Sequence, residues 1–355
     1  MIINTGMRTD IPAFYSEWLM NRVREGFVYV RNPYYRLQVS KYSLSPDVVD
    51  CLAFCTKNPH PMLKYLDELK EKYKNPNHHT GKAFGCGTSE TCNLHYNMFW
   101  FVTITPYGKD LEPNVPSYEK VIQDFKILSN KIGKNALALR YDPILINQEY
   151  SVEKHIEMFD IFARSLKGYT EDVTISFLDL YEKVKRNAPD IRPPTNEEQK
   201  QIAKEFVRIG KENNMVIHGC CENPNLKEVG IDITGCMSQE IVERAIGFTL
   251  KAPSGQSKRI VTNGNKEVTK DITLSDKGKP ICNCLMGNDI GAYNSCMHLC
   301  KYCYANFNKT LVQENYKLHN PNSPFLIGES TSEDKITEVK QKSWITFNNQ
   351  ISFFD

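Results

Sequence analysis

Three cysteines near the C-terminal end of the chain have the spacing of a metal-cluster loop. Cys296, Cys300 and Cys303 form a Cys-x3-Cys-x2-Cys pattern. A [4Fe–4S] cube contains four irons, and four cysteines would complete its ligation. Three thiolates leave one iron without a protein ligand, so that a small molecule can bind there. The pattern therefore predicts an iron–sulfur cluster with an open iron.

The aromatic residue before the last cysteine, Tyr302, makes this pattern more specific. A Cys-x3-Cys-x2-Cys loop with an aromatic residue at that position resembles the signature of radical S-adenosylmethionine enzymes. In these enzymes S-adenosylmethionine binds the open iron and receives one electron, which yields a 5′-deoxyadenosyl radical. The protein positions the cofactor and excludes water. The alternative is a zinc-binding or structural cysteine site with His298 or Cys284 as fourth ligand.

The position of the motif differs from that in most radical S-adenosylmethionine enzymes, where it follows the first strand. Here it follows all the predicted strands, so we expect the C-terminal segment to fold back over the mouth of the sheet or barrel. The chain also lacks the Gly-Gly-Glu stretch that usually holds the methionyl amine.

Other cysteines of this chain, which has 12 in all, offer a second candidate metal site. Clustered cysteines in a reducing compartment favour metal binding or catalysis over disulfides. We predict an auxiliary iron–sulfur cluster or a zinc ion, with Cys221, Cys236, Cys282 and Cys284 as its ligands. Cys220 is an alternative to Cys221. The other interpretation is that Cys220 and Cys236 are small buried apolar side chains. Cys86 and Cys92, with His95, are interpreted as loop residues rather than ligands.

Composition and charge exclude several classes of protein. The net charge is +2, from 44 basic and 42 acidic residues, which gives no overall electrostatic signature for nucleic acid. No segment approaches the roughly 18 consecutive apolar residues of a membrane-spanning helix. The first residues lack the basic and apolar regions of a signal peptide. We therefore expect a soluble cytoplasmic protein without a membrane partner.

Short runs rich in Val, Ile, Phe or Thr and bounded by turn residues predict six strands. They are Ile2–Thr5, Val49–Phe54, Phe99–Ile104, Ala136–Arg140, Val173–Phe177 and Val216–Gly219. Amphipathic periodicity predicts the helices Pro12–Glu25, Pro61–Lys74, Ser117–Ile132, Ser151–Leu166, Thr195–Asn213 and Gln239–Leu250. The helix from Thr195 opens with a capping-box pattern.

Strands that alternate with helices predict an α/β fold with a parallel sheet and helical crossovers. An open sheet and a barrel share this pattern. We favour a partial (β/α)6 TIM-like barrel, because a mouth surrounded by loops would shield a radical from solvent. The expected organisation is a barrel core over residues 1–236, a cysteine-rich cluster-binding segment over 237–308 that folds over the mouth, and a C-terminal tail over 309–355.

Polar side chains follow the predicted strands, where parallel α/β proteins gather their functional residues. As catalytic residues at the mouth we predict Arg8, Asp10, Lys57, Asn58, Arg140 and Asp142. As cofactor-binding residues we predict Tyr302, Glu222 and Tyr107. The alternative is that these loops are polar because they lie on the surface and cap helices.

Several longer stretches resemble the uncharacterised family called domain of unknown function 1848. They are residues 8–15, 28–33, 43–46, 56–59, 111–113, 140–143 and 289–306. The resemblance implies C-terminal cysteines similar to a radical S-adenosylmethionine cluster motif and a distant similarity to spore photoproduct lyase. It implies no substrate. This chain departs from the family in having Cys55 where tryptophan is common and in an insertion around residues 81–95.

The sequence thus predicts a radical S-adenosylmethionine enzyme with an unknown substrate and an electron donor such as flavodoxin or ferredoxin. One alternative is a photoproduct-lyase-like nucleic-acid repair enzyme, which the distant similarity favours and the near-neutral charge does not support. Another is a non-catalytic, zinc-stabilised binding protein. Metal analysis after anaerobic purification separates the iron and zinc hypotheses.

Overall fold

The predicted strands pair into one parallel sheet in the computed structural model. The structure describes residues 1–71, 96–252, 259–262, 265–267, 281–282, 284–285 and 287–346. Cys86, Cys92 and His95, which sequence analysis placed in a loop, lie outside the described residues.

The strands within the described ranges are β1 Ile2–Asn4, β2 Phe27–Arg31, β3 Gln38–Ser43, β4 Cys51–Thr56, β5 Met98–Thr103, β6 Leu137–Ile144, β7 Asp172–Phe177, β8 Val216–Gly219, β9 Thr249–Leu250, β10 Arg259–Thr262, β11 Asn265–Glu267, β12 Ile281–Cys282, β13 Asn288–Asp289, β14 Lys335–Glu338 and β15 Ile345–Thr346. The helices are α1 Ile11–Phe14, α2 Ser16–Glu25, α3 Leu66–Lys70, α4 Tyr118–Ile132, α5 Val152–Leu166, α6 Glu182–Asn187, α7 Asn196–Glu212, α8 Gln239–Ile246 and α9 Lys309–Lys317. Short 3-10 turns occupy His60–Tyr65, Lys134–Ala136 and Pro224–Val229.

The main sheet has seven parallel strands in the order β13-β1-β4-β5-β6-β7-β8. All six predicted strands belong to it, which confirms the parallel α/β prediction. The seventh, β13, was not predicted, because two residues carry no periodic signal. Among the described residues no ladder joins β13 to β8, so hydrogen bonding does not close the sheet into a barrel.

One face of the sheet is covered by the crossover helices, and its side chains are almost entirely apolar. Phe54 and Trp100 stack on this face with ring centroids 4.0 Å apart. Phe159 of α5 and Phe206 of α7 stack in the same way at 3.9 Å. Strand β5 is buried at every position, as expected for a strand covered on both faces.

The other face, called the inner face below, is covered by the chain that follows β8. Ile241, Val242 and Ile246 of α8 share one buried cluster with Phe99 and Phe101 of β5. Cys236 and Met237, on either side of the predicted boundary between core and cluster segment, both belong to this cluster. The inner face becomes polar toward the carboxyl ends of the strands, where Arg140 and Ser176 lie.

Three predicted helices differ from the structure. The first is divided because Tyr15 leaves the helical region at φ −134°, which gives α1 and α2. The second begins as a 3-10 turn before α3. The predicted helix Gln239–Leu250 ends at Ile246, because Gly247 adopts a left-handed φ of 74° and the chain continues into β9. The capping box at Thr195 is confirmed.

Two further features were missed by the sequence analysis. Strands β2 and β3 form an antiparallel hairpin, and β14 from the C-terminal segment pairs with β3 in parallel. Helix α9 follows the cysteine motif, and the segment after it docks on α2, where the Trp18 indole donates to the Ser323 carbonyl at 2.9 Å. None of the described helices is both long and apolar enough to cross a membrane.

Candidate functional site

The cysteine loop, residues 294–306, follows β13 after the short connection 290–293. It turns tightly at Asn294 and Leu299, which adopt left-handed φ values of 56° and 57°. The Asn294 amide donates to the Ala305 carbonyl at 3.0 Å and closes the loop on itself. Asparagine tolerates this conformation, whereas leucine does so at a cost of about 1–2 kcal/mol. The surrounding contacts therefore determine the shape of the loop.

The three loop cysteines are half-buried and lie close enough to affect one another electrostatically. Burial raises the pKa of Cys296, and the nearby Asp10, Cys303 and Cys300 raise it further. Burial also raises the pKa of Cys300, with contributions from Glu112 and Cys303. The Cys303 Sγ accepts a hydrogen bond from the Ala305 amide at 3.3 Å. The three cysteines thus lie on one loop and influence one another electrostatically.

Among the described residues, no three Cys, His, Asp or Glu side chains are grouped as one metal ion requires. A [4Fe–4S] cube is larger than a single ion, and each thiolate binds a different iron. Ligands of a cube therefore need not converge on one point.

Asp10, at the exit of β1, anchors the cysteine loop through His298. Its Oδ2 accepts from His298 Nε2 at 2.9 Å and from the Lys57 amide at 2.8 Å. Its Oδ1 accepts from the Ala13 amide at 3.0 Å and caps α1. Asp10 is only 5% exposed. Oδ2 therefore joins β1, the β4 exit and the loop, while Oδ1 caps α1.

Glu112 anchors the loop from the exit of β5. Its Oε1 accepts from Lys57 Nζ at 2.8 Å, from Thr105 Oγ1 at 2.8 Å and from the Tyr302 hydroxyl. Burial opposes the charge of Lys57, but Glu112, together with Cys300 and Asp142, more than offsets this and holds the pKa of Lys57 above its ordinary value. Glu112 lies in the family-like stretch 111–113 but was not among the predicted site residues, although it follows the same strand as Tyr107.

Main-chain contacts fix the loop from further sides. The Tyr15 hydroxyl donates to the Ser295 carbonyl at 2.6 Å. Asn114 Nδ2 donates to the Met297 carbonyl at 2.7 Å, and the Lys301 amide donates to the Leu111 carbonyl at 3.0 Å. These bonds engage carbonyls and amides of the loop, so its docking does not depend on the three sulfurs.

Tyr107, predicted to bind a cofactor, supports Tyr302 by packing. The two rings meet edge to face with centroids 5.7 Å apart. The Tyr107 hydroxyl donates to the Pro143 carbonyl at 2.6 Å and accepts from the Leu145 amide at 3.2 Å. Its polar atom is therefore engaged with the β6 exit.

The exits of β6, β7 and β8 form a second polar group. Arg140 Nε donates to Asp142 Oδ2 at 2.6 Å, and Ser176 donates to the other Asp142 oxygen. Glu222 Oε1 accepts from the Phe177 amide at 2.9 Å, and burial raises the pKa of Glu222 well above its ordinary value.

The last two predicted mouth residues lie at the other strand exits. Asn58 Oδ1 is buried without a hydrogen-bond partner in the described part of the chain. Arg8 Nε lies 3.7 Å from Asp289 Oδ1 of β13, and its guanidinium lies 5.5 Å from the centre of the Tyr293 ring. Arg8 is thus directed toward the β13 edge.

Tyr304, a half-exposed residue of the cysteine loop, reaches the exit of β1. Its hydroxyl donates to the Met7 carbonyl. The predicted mouth residues lie along the carboxyl ends of the strands, called the strand-exit rim below.

The second predicted cysteine set comes together in part. Cys236 Sγ lies 3.5 Å from Cys284 Sγ. It also lies 3.6 Å from Cys220 Sγ, so Cys220 takes the place predicted for Cys221. The physical reason is alternation along the strand, because Cys220 continues the inner-face positions of β8 and Cys221 begins a turn with φ of 61°. The side chain of Cys282 lies outside the described residues.

The fold and the site together define a parallel α/β protein with a C-terminal cysteine loop docked across its strand exits. The chain belongs to the family described as Domain of unknown function (DUF1848), whose family model matches residues 2–86 and 82–305. These ranges include every strand of the main sheet and all three loop cysteines. No curated protein matches the chain.

Proposed function

We propose that the protein is a radical S-adenosylmethionine enzyme in which Cys296, Cys300 and Cys303 hold a [4Fe–4S] cluster. The observation that carries this proposal is the docking of the cysteine loop at the strand-exit rim. Asp10 binds the loop through His298, and Glu112 binds it through Tyr302. Both contacts hold the three sulfurs beside the polar groups that sequence analysis assigned to the mouth.

The donor set fits such a cluster. Its three thiols are half-buried on one loop, and an amide hydrogen bond reaches Cys303 Sγ, as is common for cluster sulfurs. When bound, the cluster would supply one electron to S-adenosylmethionine and so start radical chemistry. The rim contributes the cations Lys57 and Arg140, which suit carboxylate groups. Asn58 contributes an unsatisfied oxygen, which suits an amine or hydroxyl donor.

We also propose that the seven-stranded sheet serves as the predicted partial barrel. On its inner face, apolar side chains pack against α8 beside an ion pair between Arg244 and the buried Asp172, and Arg140 lies at the carboxyl ends of the strands. This division matches the arrangement of barrel enzymes, in which one end supports the fold and the other carries the site. Loop packing would shield the mouth; the Phe14 and His298 rings, for example, lie 4.6 Å apart.

The test is anaerobic reconstitution with iron and sulfide, followed by incubation with S-adenosylmethionine and a strong reductant. We expect about four irons per chain, broad visible absorbance and 5′-deoxyadenosine as a product. A variant with all three loop cysteines changed to alanine should lose all three signals. Cys51→Ala is the matched control, because Cys51 is a buried cysteine of β4 at the opposite end of the strands.

Two results would contradict the proposal. Stoichiometric zinc without iron after anaerobic purification would favour the zinc-stabilised binding protein. A loaded cluster that yields no 5′-deoxyadenosine under strong reductant would exclude S-adenosylmethionine cleavage.

A further inference from the structure

Three thiols on the inner face form a group separate from the cysteine loop. The thiol triad consists of Cys220, Cys236 and Cys284. Cys236 Sγ is central, 3.6 Å from Cys220 Sγ and 3.5 Å from Cys284 Sγ. Cys220 directly follows β8, whereas Cys236 and Cys284 come from the segment that covers the inner face. The triad therefore joins the sheet to its cover.

The arrangement suits disulfide formation. A disulfide needs only one pair of sulfurs at a time, at a bond length of about 2.05 Å. Cys236 is already in contact with both neighbours, so either bond requires a sulfur displacement of about 1.5 Å. Both sulfur pairs are in contact, as thiol–disulfide exchange through Cys236 requires.

Access and charge distinguish the three thiols. Cys236 and Cys284 are 7% and 8% exposed, whereas Cys220 is half-buried and lies next to the rim. Arg140 Nη2 lies 3.7 Å from Cys220 Sγ and donates to it. The thiolate is the reactive form in disulfide exchange. Cys220 is therefore the thiol that meets a reagent entering from the rim.

Cys236 and Cys284 lie in connecting segments, and the Met237 amide donates to Cys284 Sγ at 3.2 Å. Cys236 lies in a turn after Gly235, whose φ is 115°, and Cys284 lies between β12 and β13. Neither residue belongs to a strand or helix, so a rotation of either side chain does not break a ladder.

We propose that the thiol triad is a redox-active site that reacts with small-molecule disulfides through Cys220 and closes a disulfide to Cys236, which can exchange to Cys284. The Cys220 thiolate attacks one sulfur of the reagent, forms a mixed disulfide and releases a thiolate. The Cys236 thiol gives its proton to that thiolate and attacks Cys220 Sγ. The second reagent thiolate leaves and takes a proton from solvent. Two protein thiols lose two electrons, and the reagent disulfide becomes two thiols.

The Cys284 step is an exchange that changes no oxidation state. The Cys284 thiol attacks Cys236 Sγ, forms the Cys236–Cys284 bond and breaks the Cys220–Cys236 bond, and its proton passes to the released Cys220 thiolate. Cys236 is thus the common partner of both disulfides. This inference goes beyond the proposed cluster chemistry and does not depend on it.

The experiment uses the folded full-length chain in a Cys221→Ala background, which removes the ambiguity of adjacent cysteines in peptide mapping. The protein is incubated anaerobically with oxidised glutathione, quenched with acid, alkylated and mapped by mass spectrometry. We expect Cys220–Cys236 and Cys236–Cys284 peptides that disappear with dithiothreitol. Cys236→Ser should abolish both and leave glutathione attached to Cys220. Cys51→Ser is the matched control and should leave both disulfides unchanged.

Two further measurements keep the inference testable. If the Cys236 variant fails to fold, Cys284→Ala serves as the second variant. It retains the Cys220–Cys236 pair, so this disulfide should still form. The variant without the three loop cysteines should form the same disulfides, which separates this result from any failure of cluster loading. Three results would each overturn the inference. They are the absence of triad disulfides in folded protein, an equal yield of these disulfides in urea-unfolded chain, and a stoichiometric metal ion that is lost when Cys236 is substituted.

Discussion

Asp10→Asn tests whether this carboxylate positions the cysteine loop or acts directly in catalysis. Asp10 accepts hydrogen bonds from His298, Lys57 and Ala13 at 2.9, 2.8 and 3.0 Å in a buried setting. Asparagine keeps one oxygen, which can still cap α1. Its NH2 group, however, would face the two remaining donors, His298 Nε2 and the Lys57 amide. Hydrogen bonds to a charged group contribute about 1.5–3 kcal/mol each. We expect the free energy of unfolding to fall by about 3–5 kcal/mol.

The assay is urea unfolding of the metal-free protein under anaerobic conditions, followed by measurement of iron after reconstitution. The exposed Asp67, which pairs with Lys131 on the surface, provides a control. Asp67→Asn should change the free energy of unfolding by less than about 1 kcal/mol. Asp10→Asn should also lower the iron content, because the loop loses its contact with β1.

A double-mutant cycle with His298→Ala gives the sharpest result. If Asp10 and His298 hold the loop together, the two effects should be non-additive by about 1–2 kcal/mol. Additive effects would refute the positioning role. Normal stability and normal iron content with lost turnover would instead support the catalytic role predicted from the sequence.

Three further predictions follow from the contacts. Tyr302→Phe removes a hydrogen bond to the buried Glu112. We expect the free energy of unfolding in urea to fall by about 1.5–3 kcal/mol and iron loading to decrease. Unchanged iron loading would contradict the anchoring role. Phe159→Ala removes a buried ring stacked on Phe206 and should cost about 3–5 kcal/mol with the cluster site unaffected, as judged by iron content in folded protein. Burial lowers the pKa of His218, but Asp172 and Asp232 more than offset this and raise it from 6.5 to about 9. The contribution of His218 to the stability of the fold should therefore be fully present below about pH 6.5 and be lost as the pH rises through about 9. His218→Asn should flatten the dependence of the thermal-unfolding midpoint on pH over this range.

Much of the fold followed from local patterns. The six predicted strands belong to the main sheet, because short apolar runs between turn residues have few other ways to bury both faces. Helices α4, α5 and α7 were predicted almost to their ends, since apolar periodicity and the Thr195 capping box are local signals. The gathering of polar residues at the strand exits followed from the parallel topology.

Local patterns failed where one residue or a short segment determined the outcome. The break at Tyr15 and the left-handed Gly247 shortened helices whose periodicity continued past them. Strand β13 is two residues long, and only its pairing with β1 gives it strand geometry. The choice of Cys220 over Cys221 depended on which residue continues the inner face of β8, which adjacent cysteines do not reveal.

The sequence by itself determined the spacing of the three loop cysteines, the strand–helix order and the polar strand exits, because each depends on residues close together in the chain. Only the tertiary structure decided that His298 meets Asp10 and that Tyr302 meets Glu112, across 288 and 190 residues of chain. The same holds for the meeting of Cys236 with Cys284. Such partners are selected by the packing of whole elements against the sheet, and no local periodicity records which distant side chain will fill a given position.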